Sequence, residues 1–195
     1  MLSVGADVEQ RLAARELVCP ACADGRLGPW GWCEPRVVRG LAGERTVRPR
    51  RARCGACEGT HALLPAFMVP RRRDDVHVIG AALTAHAAGD GHRVIARRLG
   101  RPTATVRGWL RRLAARAEPI RQAATGWVGE LDRPELARVA VHGSPSNDAV
   151  EMLGLAISAA TRQLGASRHP WELAVRLSDG LLWPGVSPWS GPVRT

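Results

Sequence analysis

The sequence predicts a mainly α-helical chain with one small β module near its N-terminal end. Three observations predict it. Two Cys-x-x-Cys pairs, Cys19 with Cys22 and Cys54 with Cys57, are separated by 31 residues that hold β-branched runs broken by glycine. From Asp75 onward, apolar residues recur at helical spacing. The charge is also uneven. The 195 residues contain 28 arginines, no lysine and 18 acids, a formal net charge of +10, and 21 of the arginines fall in the first 118 residues against 11 acids. The remaining residues hold seven of each and are neutral. The length allows one or two small domains. The charge makes a polyanion the expected partner of the N-terminal three-fifths.

Five segments follow in order: a polar lead-in over 1–17, helical from about residue 8; the cysteine segment over 18–70; helices over 71–118; a further helical segment over 119–183; and a Pro/Gly/Trp tail over 184–195, where order is expected to fade. The longest runs without a charged side chain are 14 residues, at 76–89 and 180–193. Both are shorter than the ~18 needed to span a bilayer, so no membrane partner is expected. The opening residues lack a basic and apolar leader pattern, so no secretory signal is expected either. A cytoplasmic, nucleoid-associated protein is the expectation.

In a reducing compartment, paired Cys-x-x-Cys units read as metal ligands before disulfides. Each pair can form a knuckle aiming two thiolates at one point, and two knuckles complete a tetrahedral four-sulfur shell. Cys19, Cys22, Cys54 and Cys57 are therefore the predicted ligands of one structural zinc in a ribbon. A closed four-cysteine shell leaves no position for water, which excludes a catalytic metal. Gly55 and Gly59 flank the second knuckle, where positive φ is expected. Between the knuckles, 35–39 and 45–48 read as strands of a hairpin with a turn over 40–44. Cys33 has no partner at knuckle spacing and reads first as a free thiol, with ligand substitution as the alternative. His61 reads as a packed or solvated histidine before a nitrogen ligand. Arg36, Arg39, Arg45, Arg48, Arg50, Arg51, Arg53, Arg71, Arg72 and Arg73 form a dense basic set. Arg48, Arg50, Arg51, Arg53, Arg71, Arg72 and Arg73 are its candidates for phosphate contact.

The next stretch predicts a helix over 75–88, a turn over 89–91, a short helix over 92–99 closed by Gly100, and a helix over 103–116. Pro102 is placed to open the last helix and Thr103 to cap it. Val106, Trp109, Leu110 and Leu113 make one apolar face, with Val94, Ile95 and Leu99 as the facing stripe. The opposite face carries Ala104, Arg107, Gly108 and Arg111, with Thr103 and Thr105 near its start, where threonines can bond phosphates or touch thymine methyls. This is the pattern of a homeodomain-like helix-turn-helix, whose second helix reads the major groove of double-stranded DNA. Arg107 and Arg111 are the candidates for base edges. Arg97, Arg98, Arg101 and Arg112 are assigned to phosphate.

Beyond residue 118, 148–164 reads as an amphipathic helix lined by Val150, Leu153, Ile157, Ala160 and Leu164. A second helix over 171–178 is opened by Pro170 and stopped by Gly180. This neutral helical hairpin either packs on the DNA-binding part or offers a surface to a second copy or a transposase partner. His142 and His169 read as ordinary histidines, Trp171 and Trp183 as packing residues, and Trp189 as an exposed tail residue.

The run from Cys54 through Thr60, His61, Leu63, Leu64 and Pro65 to Arg71, Arg72 and Arg73 resembles the zinc-ribbon proteins of bacterial transposons and insertion sequences, common in actinobacteria. The segment from Val94 to Leu110 resembles the helix-turn-helix of transposases and resolvases. The resemblance covers about residues 18–116. It implies DNA binding as the recognition part of a mobile element, as an accessory to a transposase, or as a regulator of transcription. A zinc-stabilised adaptor for protein or RNA is the alternative. Active transposases of that lineage hold two divalent metals on three carboxylates of a ribonuclease-H-like sheet. Glu130, Asp132, Glu135, Asp148, Glu151, Glu172 and Asp179 lie in too short a segment with no strand pattern, and the chain has no tyrosine for a tyrosine recombinase. No catalysis by this chain alone is expected.

Overall fold

The computed structural model describes residues 6–22, 24–138, 143–164 and 169–177. His142, Gly180, Trp183, Trp189 and the tail over 184–195 lie outside them. Among the described residues the fold combines seven α-helices with two small antiparallel sheets.

Helix α1 (Ala6–Ala13) leads into the cysteine segment. Strands β1 (Leu27–Trp32), β4 (Arg50–Cys54) and β5 (Thr60–Leu63) form one sheet in the order β1-β4-β5. The hairpin of β2 (Arg36–Gly40) and β3 (Gly43–Val47) forms a separate sheet, paired from Arg36 opposite Val47 to Gly40 opposite Gly43. Only Leu41 and Ala42 remain in the loop, so it is tighter than the five-residue turn expected. Gly43 takes φ +123°, a conformation that favours glycine. The ribbon has little apolar material of its own. Leu12, Leu17, Leu27, Ala52 and Leu63 bury beside Cys19 and Cys54, and Val38, Val47 and Met68 form a smaller cluster.

Helix α2 (Val76–Ala87) starts at Asp75, whose carboxylate accepts from the Val78 N–H at 3.0 Å. Helix α3 (His92–Leu99) stops where Gly100 turns left-handed at φ 62°. Helix α4 spans Thr103–Ala114, two residues shorter than expected at its end. Pro102 occupies the cap position and Thr103 is the first helical residue, with no side-chain cap bond. The missing N–H of proline matters least there, because the first N–H groups of a helix have no internal partner. Val106, Trp109, Leu110 and Leu113 are buried as their spacing requires. On α3 the buried pair is Ile95 and Ala96, while Val94 is 42% exposed. Of the expected facing stripe, Ile95 is buried and Leu99 packs against the core, while Val94 turns outward and Ala96 takes its place.

Helix α5 (Ala117–Leu131) opens the helical segment expected over 119–183. Its buried residues Ala117, Ile120, Ala124 and Val128 recur at three- and four-residue steps. They pack with α6 (Pro145–Leu164), which buries Ala149, Met152, Leu153, Ala156 and Ala160. The buried stripe of α6 is thus richer in alanine than expected, and Val150 and Ile157 lie at its margin. Small side chains let the two helices approach closely. Helix α7 (Pro170–Leu177) seats Trp171 on α2 at Gly80, where an added Cβ would lie 2.2 Å from the indole. One apolar core runs from Val69 to Leu177. Each fully buried side chain in it, such as Ile79, Ile95 or Ile120, contributes roughly 1.5–3 kcal/mol. The charge balance changes at residue 118, but the core continues across it.

Asp74 and Asp75, both buried, tie the hairpin to the helices. Asp74 accepts from Arg39 of β2 at 2.7 Å and from Arg101 of the α3–α4 turn at 2.5 Å. Asp75 pairs with Arg45 of β3 at 2.5 Å while also capping α2. Backbone bonds from Arg39 N to the Arg73 carbonyl and from Asp75 N to the Arg39 carbonyl close the join.

Candidate metal centre and basic surface

The ribbon folds its two Cys-x-x-Cys loops onto one point. One sulfur from each of Cys19, Cys22, Cys54 and Cys57 lies within 4.8 Å of all the others. The Cys19–Cys57 pair is 3.7 Å apart and the Cys22–Cys54 pair 3.6 Å. A tetrahedral zinc with bonds of about 2.3 Å would set its sulfurs about 3.8 Å apart. These two pairs match that edge and the remaining separations are at most 4.8 Å, so the four cysteines are positioned to coordinate one metal ion.

Each loop is built as a knuckle. The Cys19 N–H donates to the Gly25 carbonyl at 2.8 Å, and the Cys54 N–H to the Gly59 carbonyl at 2.9 Å. The Ala21 N–H then reaches the Cys19 sulfur at 3.4 Å, and the Ala56 N–H reaches that of Cys54 at 3.3 Å. The positive φ expected at Gly55 or Gly59 falls on Glu58 instead, at 60°.

Gly25 was not singled out from the sequence, yet it is the tightest residue at the site. An added Cβ there would lie 2.2 Å from the Cys54 sulfur and 2.6 Å from that of Cys22. The available signal was a glycine shortly after each knuckle, Gly25 after Cys22 and Gly59 after Cys57. Electrostatics agree with a cation site. The Cys57 N–H and, after it, the Ala56 N–H help hold the Cys54 thiol down to about 6. The neighbouring Cys54 sulfur pushes Cys22 up to about 12, so without a cation the two resist ionising together. A dication removes that conflict. His61 Nε2 lies 3.5 Å from the Cys19 sulfur, beside the four-sulfur cluster but not part of it. Cys33 is buried away from the cluster, its N–H bonded to the Pro49 carbonyl.

The arginines assigned to phosphate differ in what holds their guanidinium groups. Arg48, Arg51, Arg71, Arg72, Arg73, Arg97 and Arg98 are exposed, although Arg98 pairs with Asp90. Arg50 is engaged inside the protein. It is 9% exposed, pairs with Glu9 at 2.8 Å, donates to the Gly31 carbonyl and lies over the Trp32 ring. Arg101 is held by Asp74 and donates to the Leu99 carbonyl at 3.0 Å. Neither has a free guanidinium to offer to phosphate. Arg53 is half-buried, pairing with Glu58 and stacking on Trp30.

On α4, Thr103, Ala104, Arg107 and Arg111 are exposed, and Thr105 and Gly108 are half-buried. Arg112 donates to the Gly108 carbonyl at 3.3 Å. Burial, followed by the positive charges of Arg72 and Arg111, lowers its pKa.

Fold and site together define a protein with a small cysteine-bearing ribbon, its four clustered sulfurs positioned to coordinate one metal ion, joined to a helical body. The chain is similar over residues 19–109 to a family described as a domain of unknown function, DUF6431. The match begins at the first cysteine ligand and ends at Trp109 of α4. No curated protein and no solved structure matches the chain. No described helix is long and apolar enough to cross a membrane.

Proposed function

We propose that this is a zinc-dependent DNA-binding protein in which α3 and α4 act as a helix-turn-helix and α4 enters the major groove. The observation that carries this reading is the two-sided character of α4. It buries Val106, Trp109, Leu110 and Leu113, while Thr103, Ala104, Arg107 and Arg111 face water. Small residues near the start of the helix leave room for the groove, and the two arginines can reach guanine edges. Exposed Arg71, Arg72, Arg73 and Arg97 supply phosphate contacts. The zinc is structural, and its work is to hold the ribbon. We assign the chain a binding role and not catalysis. The transposon resemblance favours recognition of a mobile-element end over a general regulator.

The test is selection of bound duplexes from a random pool with metal-loaded protein, followed by titration of salt. A consensus is expected. If about six arginines touch phosphate, affinity should fall roughly 10³-fold between about 50 and 200 mM salt. Binding to no duplex, or a complex insensitive to salt, would overturn the reading.

A further inference from the structure

The open face of the three-stranded sheet has the composition of a base-stacking platform. Along β4, Arg50, Ala52 and Cys54 turn inward, which leaves Arg51 and Arg53 on the outer face. Their partners on β5 are Ala62 and Thr60, and Gly28 of β1 sits opposite Arg53. Two residues past Gly28, Trp30 lies on the same face and is 50% exposed. The Arg53 guanidinium sits 4.7 Å from the centre of its ring. Arg15 completes the set. Its guanidinium lies over the bare backbone of Gly28 and Gly55, where an added Cβ would come within 3.9 Å and 3.4 Å of it.

A half-exposed indole costs hydrophobic free energy and contributes little to a core. Here it is braced by the Arg53 guanidinium on a face that also carries Arg15 and Arg51, and Glu58 is already held by Arg53. The charge calls for a polyanion, and the flat ring calls for a partner with its own π face. Paired bases in a duplex offer only their edges, so stacking on Trp30 requires an unpaired base.

We propose that this face, through Trp30 with Arg15, Arg51 and Arg53, binds single-stranded nucleic acid by stacking one base on the free side of Trp30 while Arg53 braces the ring and Arg15 and Arg51 hold the flanking phosphates. The inference does not rest on α4 reading a duplex. It adds a second surface, suited to a melted or frayed end beside a duplex site.

The experiment uses full-length, metal-loaded protein and a labelled oligothymidylate of roughly 12 nucleotides, compared with an abasic strand of equal length and with duplex DNA. The wild type should prefer the oligothymidylate over the abasic strand by about 5- to 150-fold, the range that stacking one base supplies. Trp30→Ala should abolish that preference and Trp30→Phe should keep most of it. Arg51→Ala should weaken both strands alike. Trp30 is too exposed for its truncation to open the core, and circular dichroism of each variant checks the fold. Equal affinity for the two strands, or an unchanged preference in Trp30→Ala, overturns the proposal. Loss of duplex binding alone counts against the α4 reading and leaves this one standing.

Discussion

The ribbon and the helical body reach a fixed structure by different means. Of the seven buried residues in the main ribbon cluster, two are the cysteine ligands Cys19 and Cys54. In contrast, the helical core runs unbroken from Val69 to Leu177. A cluster as small as the ribbon's cannot offset the backbone entropy of five strands and their loops. On the proposed reading the metal supplies what that cluster lacks, while the helices need only their apolar faces. The two parts should therefore fail separately, and removing the metal should have the largest effect. Apparent binding free energies at such sites are on the order of 10 kcal/mol. Chelation, or Cys54→Ser, should abolish strand signal and amide protection over β1–β5 while leaving the helical signal and its thermal transition. A single transition that lost both together would show that the contrast is false.

The join between the parts is electrostatic, and Asp74 is its centre. Replacing Asp74 by Ala would leave Arg39 and Arg101 without their carboxylate. Losing one partner of a well-buried pair costs about 3–5 kcal/mol, and the partial exposure of these arginines lowers that to roughly 2–3 kcal/mol. The expected result is a hairpin that exchanges amide protons faster while zinc affinity stays unchanged. Loss of zinc binding in this variant would mean that the join also supports the knuckles.

Within the helical body, Gly80→Ala tests whether packing alone governs stability. The new methyl would overlap the Trp171 ring, and overpacking costs typically 1–3 kcal/mol. Thermal melting should show the helical transition lowered with the metal centre intact. The opposite pattern is expected of Gly25→Ala, whose Cβ would strike the Cys54 and Cys22 sulfurs. It should weaken metal binding and leave the helices unchanged. On the proposed duplex surface, Arg107→Ala should relax preference at one base position for about 1–3 kcal/mol, and Arg72→Ala should weaken all sequences alike. Equal, sequence-independent losses from both would remove α4 as the reading helix.

The two parts were also unequally legible in the sequence. The four ligands could be read from spacing alone, because thiolate chemistry and knuckle geometry leave few alternatives. The hairpin and the α2–turn–α3–turn–α4 series were marked by Gly43, Gly89 and Gly100, whose positive φ is a local backbone role. What could not be read was pairing between distant positions. Arg50 and Arg101 are indistinguishable in sequence from phosphate-binding arginines, and only folding brings them to Glu9 and Asp74. The same applies to Gly80 and Gly25, whose missing side chains answer to Trp171 and to the cysteine sulfurs. Helix α5 is hard to read from sequence because its buried stripe is partly alanine, which carries a weak apolar signal.

The smallest expected effect concerns pH at the seam between α7 and α2. The His77 and His169 rings lie 3.9 Å apart, with Glu172 bonded to His77 at 3.0 Å and Asp75 beside it at 3.6 Å. Partial burial, and then the neighbouring His77, lower the His169 pKa below its usual 6.5, against the pull of Glu172 and Asp75. A histidine with a depressed pKa binds fewer protons folded than unfolded, so stability rises with pH. Its contribution is fully present above the unfolded pKa of about 6.5 and is lost as pH falls through the folded value. Because His169 is exposed, the loss should be small. It should appear as a modest fall in the helical transition between about pH 7.5 and 5.5. The ribbon transition moves over the same interval for a separate reason, since acid competes with metal for the thiolates. His169→Gln separates the two: it should flatten the helical response and leave the ribbon response unchanged. An undiminished helical response in that variant would assign the acid sensitivity to the metal centre and couple the two parts after all.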